Sequence, residues 1–260
     1  MRNIAIPALF SLVLILASFT PIGVRSKIVQ RIVIDPGHGG KDPGTRGAVS
    51  KEKDLALSIS KHLGRIMADQ MPEIEVLFTR EDDSFPTLQE RSDFANKHGA
   101  DLFISIHCNW ISNPSIFGSE TYVMGLHKTN DNFEVARREN AVILQEENYE
   151  ENYDGFDPNS PESYIFLTLQ QSAFQEGSLK LAQSIENQLG TRAGRKSRGV
   201  KSAGFYVLYN TTMPSVLVET GYLSNSKEEQ DLNDDLKQRY IASGIYRAIR
   251  DYKKEVESTN

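Results

Sequence analysis

The chain has 260 residues, a formal net charge of −6 and a single cysteine. Net acidity argues against a nucleic-acid partner, one cysteine excludes an internal disulfide, and the length suits a single α/β domain with a proper core. No internal repeat and no low-complexity linker marks a second module.

In chain order, residues 1–26 read as a secretory signal peptide. Arg2 supplies the positive start, Ile4 to Phe19 an apolar stretch too short for a comfortable membrane span, and Val24-Arg25-Ser26 an imperfect cleavage site. An uncleaved anchor is the alternative, whereas the lack of a following cysteine argues against a lipid anchor. Either way residues 27–260 are expected to be exported to the periplasm or cell envelope, with no membrane span after cleavage. The leader carries Arg2 and Arg25 and no acid, so the remainder is more acidic than the whole.

Ile32-Val33-Ile34 is a β-branched run suited to a buried parallel strand, and Asp35-Pro36-Gly37-His38-Gly39-Gly40 ends it in a tight loop that presents His38. Open α/β sheets hold ligands at that carboxyl edge. A phosphate loop is excluded, because Gly40-Lys41 is followed by Asp42 rather than Ser or Thr, and Gly37-His38-Gly39 lacks its third glycine. Ser50 to Asp54 opens an amphipathic helix with Leu55, Ile59, Leu63 and Ile66 on one stripe, which places Glu52 in its first turn.

Glu73 to Arg80 reads as a strand, and Asp82 and Pro86 turn the chain into a helix carrying Leu88, Arg91, Ala95 and Asn96 that Gly99 ends. Arg91 is either a substrate contact or, as is commoner for a helix arginine, paired with a local acid, and it is assigned no role. Asp101 to Asn109 is a second apolar strand ending in a histidine, His107. Two strand ends and one helix start thus supply His38, Glu52 and His107, a three-ligand zinc set with a fourth position open to water. Asn109 is placed to support His107 or the substrate. His62, His98 and His127 have no acid at a telling spacing and read as surface or helix-end groups.

After the strand Glu120 to Met124, residues 128–176 interrupt the alternation of strands and helices, and long structured insertions tend to be lids or binding loops. The middle of this one is acidic, with Glu146, Glu147, Glu150 and Glu151 among regularly placed tyrosines. Arg192, Arg195, Lys196, Arg198 and Lys201 form the one basic concentration, either a plain loop or a partner for acidic groups. Pro214 to Gly221 is a third buried strand ending in an acid, Glu219, and Tyr240, Ile241, Ile245, Ile249 and Tyr252 define a last amphipathic helix.

The segments IDPGHGGKDPG, SKEKDLAL, LFTREDDSFPTLQERSDFAN, DLFISIHCNW, GVKSAGFYVL and PSVLVETGYLSN, in this order from about Arg31 to Lys254, resemble the N-acetylmuramoyl-L-alanine amidase family of the AmiC type, also called amidase-3. The resemblance implies one α/β domain, a mainly parallel twisted six-stranded sheet with helices on both faces. It implies a zinc hydrolase that cuts the amide between N-acetylmuramic acid and L-alanine in peptidoglycan, remodelling the wall and separating daughter cells, with an activator protein as partner in regulated members. His38, Glu52 and His107 match the family's zinc ligands and Glu219 its catalytic glutamate, while Cys108 stands where alanine is more usual. A zinc peptidase acting within the stem peptide would use the same metal chemistry, and a non-catalytic wall-binding or activator protein would share the fold. The regulated members also suggest that the insertion covers the site, with one of Glu146, Glu147, Glu150 and Glu151 in the open metal position. Otherwise the segment shapes a groove and its acids face water.

Overall fold

The computed structural model describes residues 28–169 and 173–258, so the expected leader lies outside the described residues. Six strands form one sheet: β1 (Arg31–Pro36), β2 (Glu75–Phe78), β3 (Leu102–Asn109), β4 (Ser119–Met124), β5 (Ser197–Ala203) and β6 (Ser215–Tyr222). Their order is β2-β1-β3-β6-β4-β5. The first four in that order run parallel, while β4 lies antiparallel to β6 and carries β5 parallel to itself. The single α/β domain and the mostly parallel six-stranded sheet are therefore as the sequence leads one to expect. The reversed pair has a consequence for function: the start of β4, not its end, reaches the edge where β1, β3 and β6 finish.

Side chains alternate across the strands. Ile32, Ile34, Ile104, Ile106, Val216 and Val218 point to one face, where α1 (Glu52–Gln70), α6 (Gln175–Thr191) and α9 (Asp235–Ser258) pack through Ile59, Ile185 and Ile245. Val33, Phe103, Tyr122 and Leu217 point to the other, covered by α2 (Leu88–Lys97), α3 (Asn130–Asn140), α5 (Pro161–Leu169) and α7 (Tyr206–Tyr209). Asp35, Ser105, His107 and Glu219 share the parity of this second group. The ends of three strands thus deliver polar residues onto the face covered by α3.

The interrupting segment is a chain of short helices rather than one lid. It comprises α3, a 3₁₀ turn (Ala141–Gln145), α4 (Tyr149–Asn152) and α5. Thr129 caps α3 by accepting from the Asn132 amide, and Val135, Ala136, Val142 and Ile143 are buried beneath it. Beyond β6, α8 (Ser226–Asn233) is capped by Asn225. Among the described residues no helix is long and apolar enough to cross a membrane.

Candidate metal centre and its cover

His38 has a backbone φ of 60°, in the left-handed region that side chains other than glycine rarely adopt. Two contacts hold it there: Arg91 donates through Nη2 to the His38 carbonyl (2.7 Å), and His38 Nδ1 donates to Asp42 Oδ2 (2.7 Å). With its Nδ1 proton on Asp42, the ring turns the Nε2 lone pair inward. Gly37 lets the loop pass His107 closely, since a Cβ there would lie 2.4 Å from the His107 ring. His107 is fixed in the opposite sense. Its Nε2 meets Ser105 Oγ at 3.1 Å, Ser105 donates to Asp35 Oδ2 (2.6 Å), and Arg91 Nη1 binds Asp35 Oδ1 (2.7 Å). That leaves Nδ1 of His107 facing inward.

Glu52 lies fully buried in the first turn of α1. Its Oε2 accepts from the Thr45 amide (2.7 Å) and hydroxyl (3.0 Å), and Oε1 accepts from the Cys108 amide (2.9 Å). A Cβ on Gly44, whose φ is +65°, would strike both Glu52 and His38, so only glycine lets the three elements meet. Oε1 of Glu52 lies 3.1 Å from His38 Nε2 and 3.0 Å from His107 Nδ1.

A fourth group completes the cluster. Glu139, in the last turn of α3, sets Oε2 3.1 Å from His38 Nε2 and 3.1 Å from His107 Nδ1. One ligand atom from each of His38, Glu52, His107 and Glu139 falls within 4.8 Å of the others. Tetrahedral zinc with bonds of about 2.0–2.1 Å has ligand-to-ligand edges of about 3.3 Å, close to these separations. His38 Nε2 and both Glu139 oxygens are buried with no hydrogen-bond partner, as expected of atoms shaped for a cation. The charges agree. Despite burial, the Glu52 carboxylate and a hydrogen bond to Asp42 hold His38 well above its ordinary range, and Glu139 and Glu52 raise His107 to about 9. Burial and the neighbouring Glu52 oppose ionisation of Glu139, yet the two imidazoles bring its carboxyl down to about 2. The site favours positive charge at its centre. The donor set fits a zinc ion, and His38, His107 and Glu52 are each oriented by a second partner, as in metal sites generally.

Glu219 faces His107 across the β3–β6 ladder. It is fully buried, both oxygens lack partners, and burial together with Glu139 and Glu52 pushes its carboxyl well above the usual range. A carboxyl in such a place readily holds or gives up a proton.

Glu139 therefore takes the place that the sequence suggested for one of Glu146, Glu147, Glu150 and Glu151. The 3₁₀ turn carries the chain away from the cluster directly after α3: Glu146 receives the Tyr153 hydroxyl, and the other three are exposed. With Glu139 seated, the cavity lined by Asp35, His38, His107 and Glu139 measures about 10 Å³, room for no more than a water, while a separate cleft of about 130 Å³ still reaches His38, Asp42 and Glu139. Polar latches hold the cover. Asn140 donates through Nδ2 to the Gly204 carbonyl (2.8 Å) and accepts at Oδ1 from the Tyr206 amide (2.9 Å), Arg138 donates to the Trp110 carbonyl (3.0 Å), and Lys41 donates to the Gln145 carbonyl (2.9 Å).

Other expectations need adjustment. Asn109 does not touch His107; it accepts from Arg138 Nη2 (2.8 Å) and lies near Glu120. Arg91 pairs not with a local acid but with Asp35, on β1. His62 does have an acid partner, Asp235, at 3.0 Å from another helix. The basic concentration divides: Arg195 pairs with Glu228 at 2.6 Å, Lys196 lies over the Phe117 ring, and Arg198 and Lys201, on β5, both bind Glu120. Asp42 had a signal in sequence, four residues after His38. Glu139 had none, because nothing in Arg137-Arg138-Glu139-Asn140 tells which acid of an amphipathic helix faces inward.

Fold and site together define a single α/β domain with a buried His/Glu cluster suited to a metal ion at the edge of its sheet. The chain belongs to the N-acetylmuramoyl-L-alanine amidase family, Amidase_3, whose pattern matches residues 32–251. Among relatives, it is 32% identical to the amidase AmiA of Escherichia coli K12 over 85% of this chain and 75% of that protein. It is 33% identical to AmiC of Escherichia coli O6:H1 over 85% of this chain, spanning only about half (52%) of that relative. The catalytic domain of CwlV, the amidase from Bacillus (Paenibacillus) polymyxa var. colistinus, superposes with a TM-score of 0.64 at 30% identity, covering 86% of this chain and 97% of that domain. These likenesses fix the family and leave the AmiC type open among its members.

Proposed function

We propose that this protein is an exported zinc amidase that hydrolyses the amide between the lactyl group of N-acetylmuramic acid and the L-alanine of the peptidoglycan stem, and that it serves wall remodelling and daughter-cell separation. The observation that carries this reading is the inward-facing set His38, Glu52 and His107 with Glu219 one strand away, in a chain of the amidase family. A zinc ion held by His38 Nε2, His107 Nδ1 and Glu52 Oε1 would supply a Lewis acid that acidifies water and polarises a carbonyl. Glu219 takes the proton of the attacking water and later passes it to the alanine nitrogen, which cannot leave as an amide anion. Its raised affinity for protons suits both halves of that task. Asp42, and Ser105 with Asp35 and Arg91, keep the two imidazoles in the tautomers that face inward.

Glu139 closes the site at rest. A carboxylate as fourth ligand, where water must bind, would leave a stable but idle centre, which suits an enzyme able to cut its own cell wall. Activity then requires α3 to leave, the natural task of an activator protein that binds the covering segment. The test incubates the zinc-loaded protein, intact and as Glu139→Ala, with muropeptides and identifies the fragments by mass. Release of intact stem peptides from the sugar, faster with Glu139→Ala, is expected. Cleavage inside the stem would make the protein a peptidase, and a Glu139→Ala form that holds zinc and is no faster would remove the cover.

A further inference from the structure

Beside the metal centre, between α3 and the β4–β5 edge, lies a cleft of about 400 Å³, within the range of small-ligand sites. Its floor is Glu120, at the start of β4. Glu120 Oε1 receives Arg198 (2.8 Å), Lys201 and the Tyr222 hydroxyl, and Oε2 receives the Tyr122 hydroxyl (2.7 Å). Burial alone would raise its carboxyl, but Lys201 and these donors bring it below the usual range. Glu120 is thus a saturated anion, unable to serve as a base or to accept from a ligand.

Its two cations are another matter. At Glu120 two positive charges meet one negative, while across the cleft α3 brings Asp131 and Arg138 and the Glu134–Arg137 pair; Arg198 and Lys201 each retain further N–H donors. Both stay partly open, at 25% and 22% side-chain exposure. The aromatic rings of Tyr222 and Tyr122 lie under them, 5.6 Å from the Arg198 guanidinium and 5.9 Å from Lys201 Nζ. The cations are held in place before any ligand arrives, so little ordering cost falls on binding. Glu120, Tyr122, Arg198, Lys201 and Tyr222 all sit on β4, β5 and β6, whereas the facing wall of the cleft is α3, through Asp131, Glu134 and Arg138.

We propose that Arg198 and Lys201, anchored on Glu120, form a subsite for a free carboxylate of the stem peptide and so decide which peptides are cut. The inference rests on the amidase reading and adds to it the part of the substrate recognised. Spacing supports it. Glu120 pairs with Glu219, and Glu219 with His107, so Glu120 stands two strands, about 10 Å, from the His107 backbone. Two extended residues reach about 7 Å, and the long side chains of Arg198 and Lys201, which meet Glu120 from β5, lie on the way to close the remaining few ångströms.

The test uses the zinc-loaded protein in its Glu139→Ala form and two synthetic muropeptides that differ at the second stem residue, γ-linked D-glutamate against D-isoglutamine, a free carboxylate against a carboxamide. Calorimetry with the corresponding dipeptides accompanies the kinetics. The carboxylate substrate should be preferred by about 10-fold or more in kcat/KM, and its dipeptide bound more tightly by a similar factor, as for a charge-assisted hydrogen bond. The double variant Arg198→Gln/Lys201→Gln should bring both ratios toward unity with zinc content unchanged. If that variant does not fold, Lys201→Gln alone, with Arg198 still on Glu120, should reduce them. Equal handling of the two ligands, or a preference that survives in the folded variant, overturns the subsite. Cleavage of neither substrate overturns the amidase reading instead, and the dipeptide binding still decides the subsite.

Discussion

Glu219 and Asp35 are both fully buried carboxylates, on strands that flank β3, and their surroundings drive them in opposite directions. Glu219 has no donors, faces two other acids and is held toward its protonated form. Glu219→Gln should therefore retain zinc yet lose on the order of 100-fold to 10,000-fold in turnover, the usual worth of a positioned proton carrier. Metal analysis beside the rate separates this from a ligand, whose loss would empty the site. For Asp35, burial opposes ionisation, but Arg91 and the hydroxyls of Ser105 and Thr79 outweigh it and bring the carboxyl below its ordinary value. Asp35→Asn should cost about 3–5 kcal/mol in urea unfolding, because it leaves a buried guanidinium without its counter-ion. A depressed carboxylate stabilises above its unfolded value and loses that contribution as pH falls through the folded one. The gap between wild type and Asp35→Asn should therefore be full at pH 5 to 7 and narrow below about pH 4. At this scale His38, Glu52, His107 and Glu219 were legible because strand ends and a helix start announce themselves in hydrophobic pattern. Arg91 was not, since its partner lies 56 residues away in sequence.

Among elements, α3 is the one whose stability bears on activity. Its only cap is Thr129, and its last turn carries both Glu139 and the Asn140 latch. Thr129→Ala removes about 0.5–2 kcal/mol of helix stability without touching the metal cluster. On the reading of α3 as a cover, basal muropeptide hydrolysis should rise by roughly 2-fold to 30-fold, since about 1.4 kcal/mol is a factor of ten in an equilibrium. An unchanged rate with a lowered helix content would mean that α3 does not control access. That residues 128–176 form a structured interruption was evident from length and composition. Which of its acids turned inward was not, because a charge run advertises itself whether or not it is used, while Glu139 is one residue among several polar neighbours.

For the molecule as a whole, the sheet was the easiest feature to foresee: apolar β-branched runs alternating with amphipathic helices leave few other solutions. The reversal of β4 and β5 left no mark in the pattern, since buried strands read alike in either direction. Three acids, Glu52, Glu139 and Glu219, are enclosed with two histidines at the carboxyl edge of the sheet, so the metal-free protein must protonate groups or tolerate repulsion there. Chelation should lower Tm on the order of 10 °C, following about 4 kcal/mol of linkage at a thousandfold excess over Kd. A Tm indifferent to chelator would argue that the cluster binds no ion in the native state.

Arg138 and Glu139 are adjacent on α3, one walling the peptide cleft and the other filling the metal position. They cannot be withdrawn separately. A stem that must lie in the cleft with its amide at the metal fits only the form with the helix withdrawn, and its binding therefore draws the helix off the metal by mass action. If the open form is about 1% of molecules, each isolated peptide binds about 100-fold more weakly than its contacts warrant. A wall presents many stems at once, and a high effective concentration recovers that loss where a lone fragment cannot. The enzyme would then distinguish assembled wall from shed debris by the density of the ligand, with no residue dedicated to telling them apart.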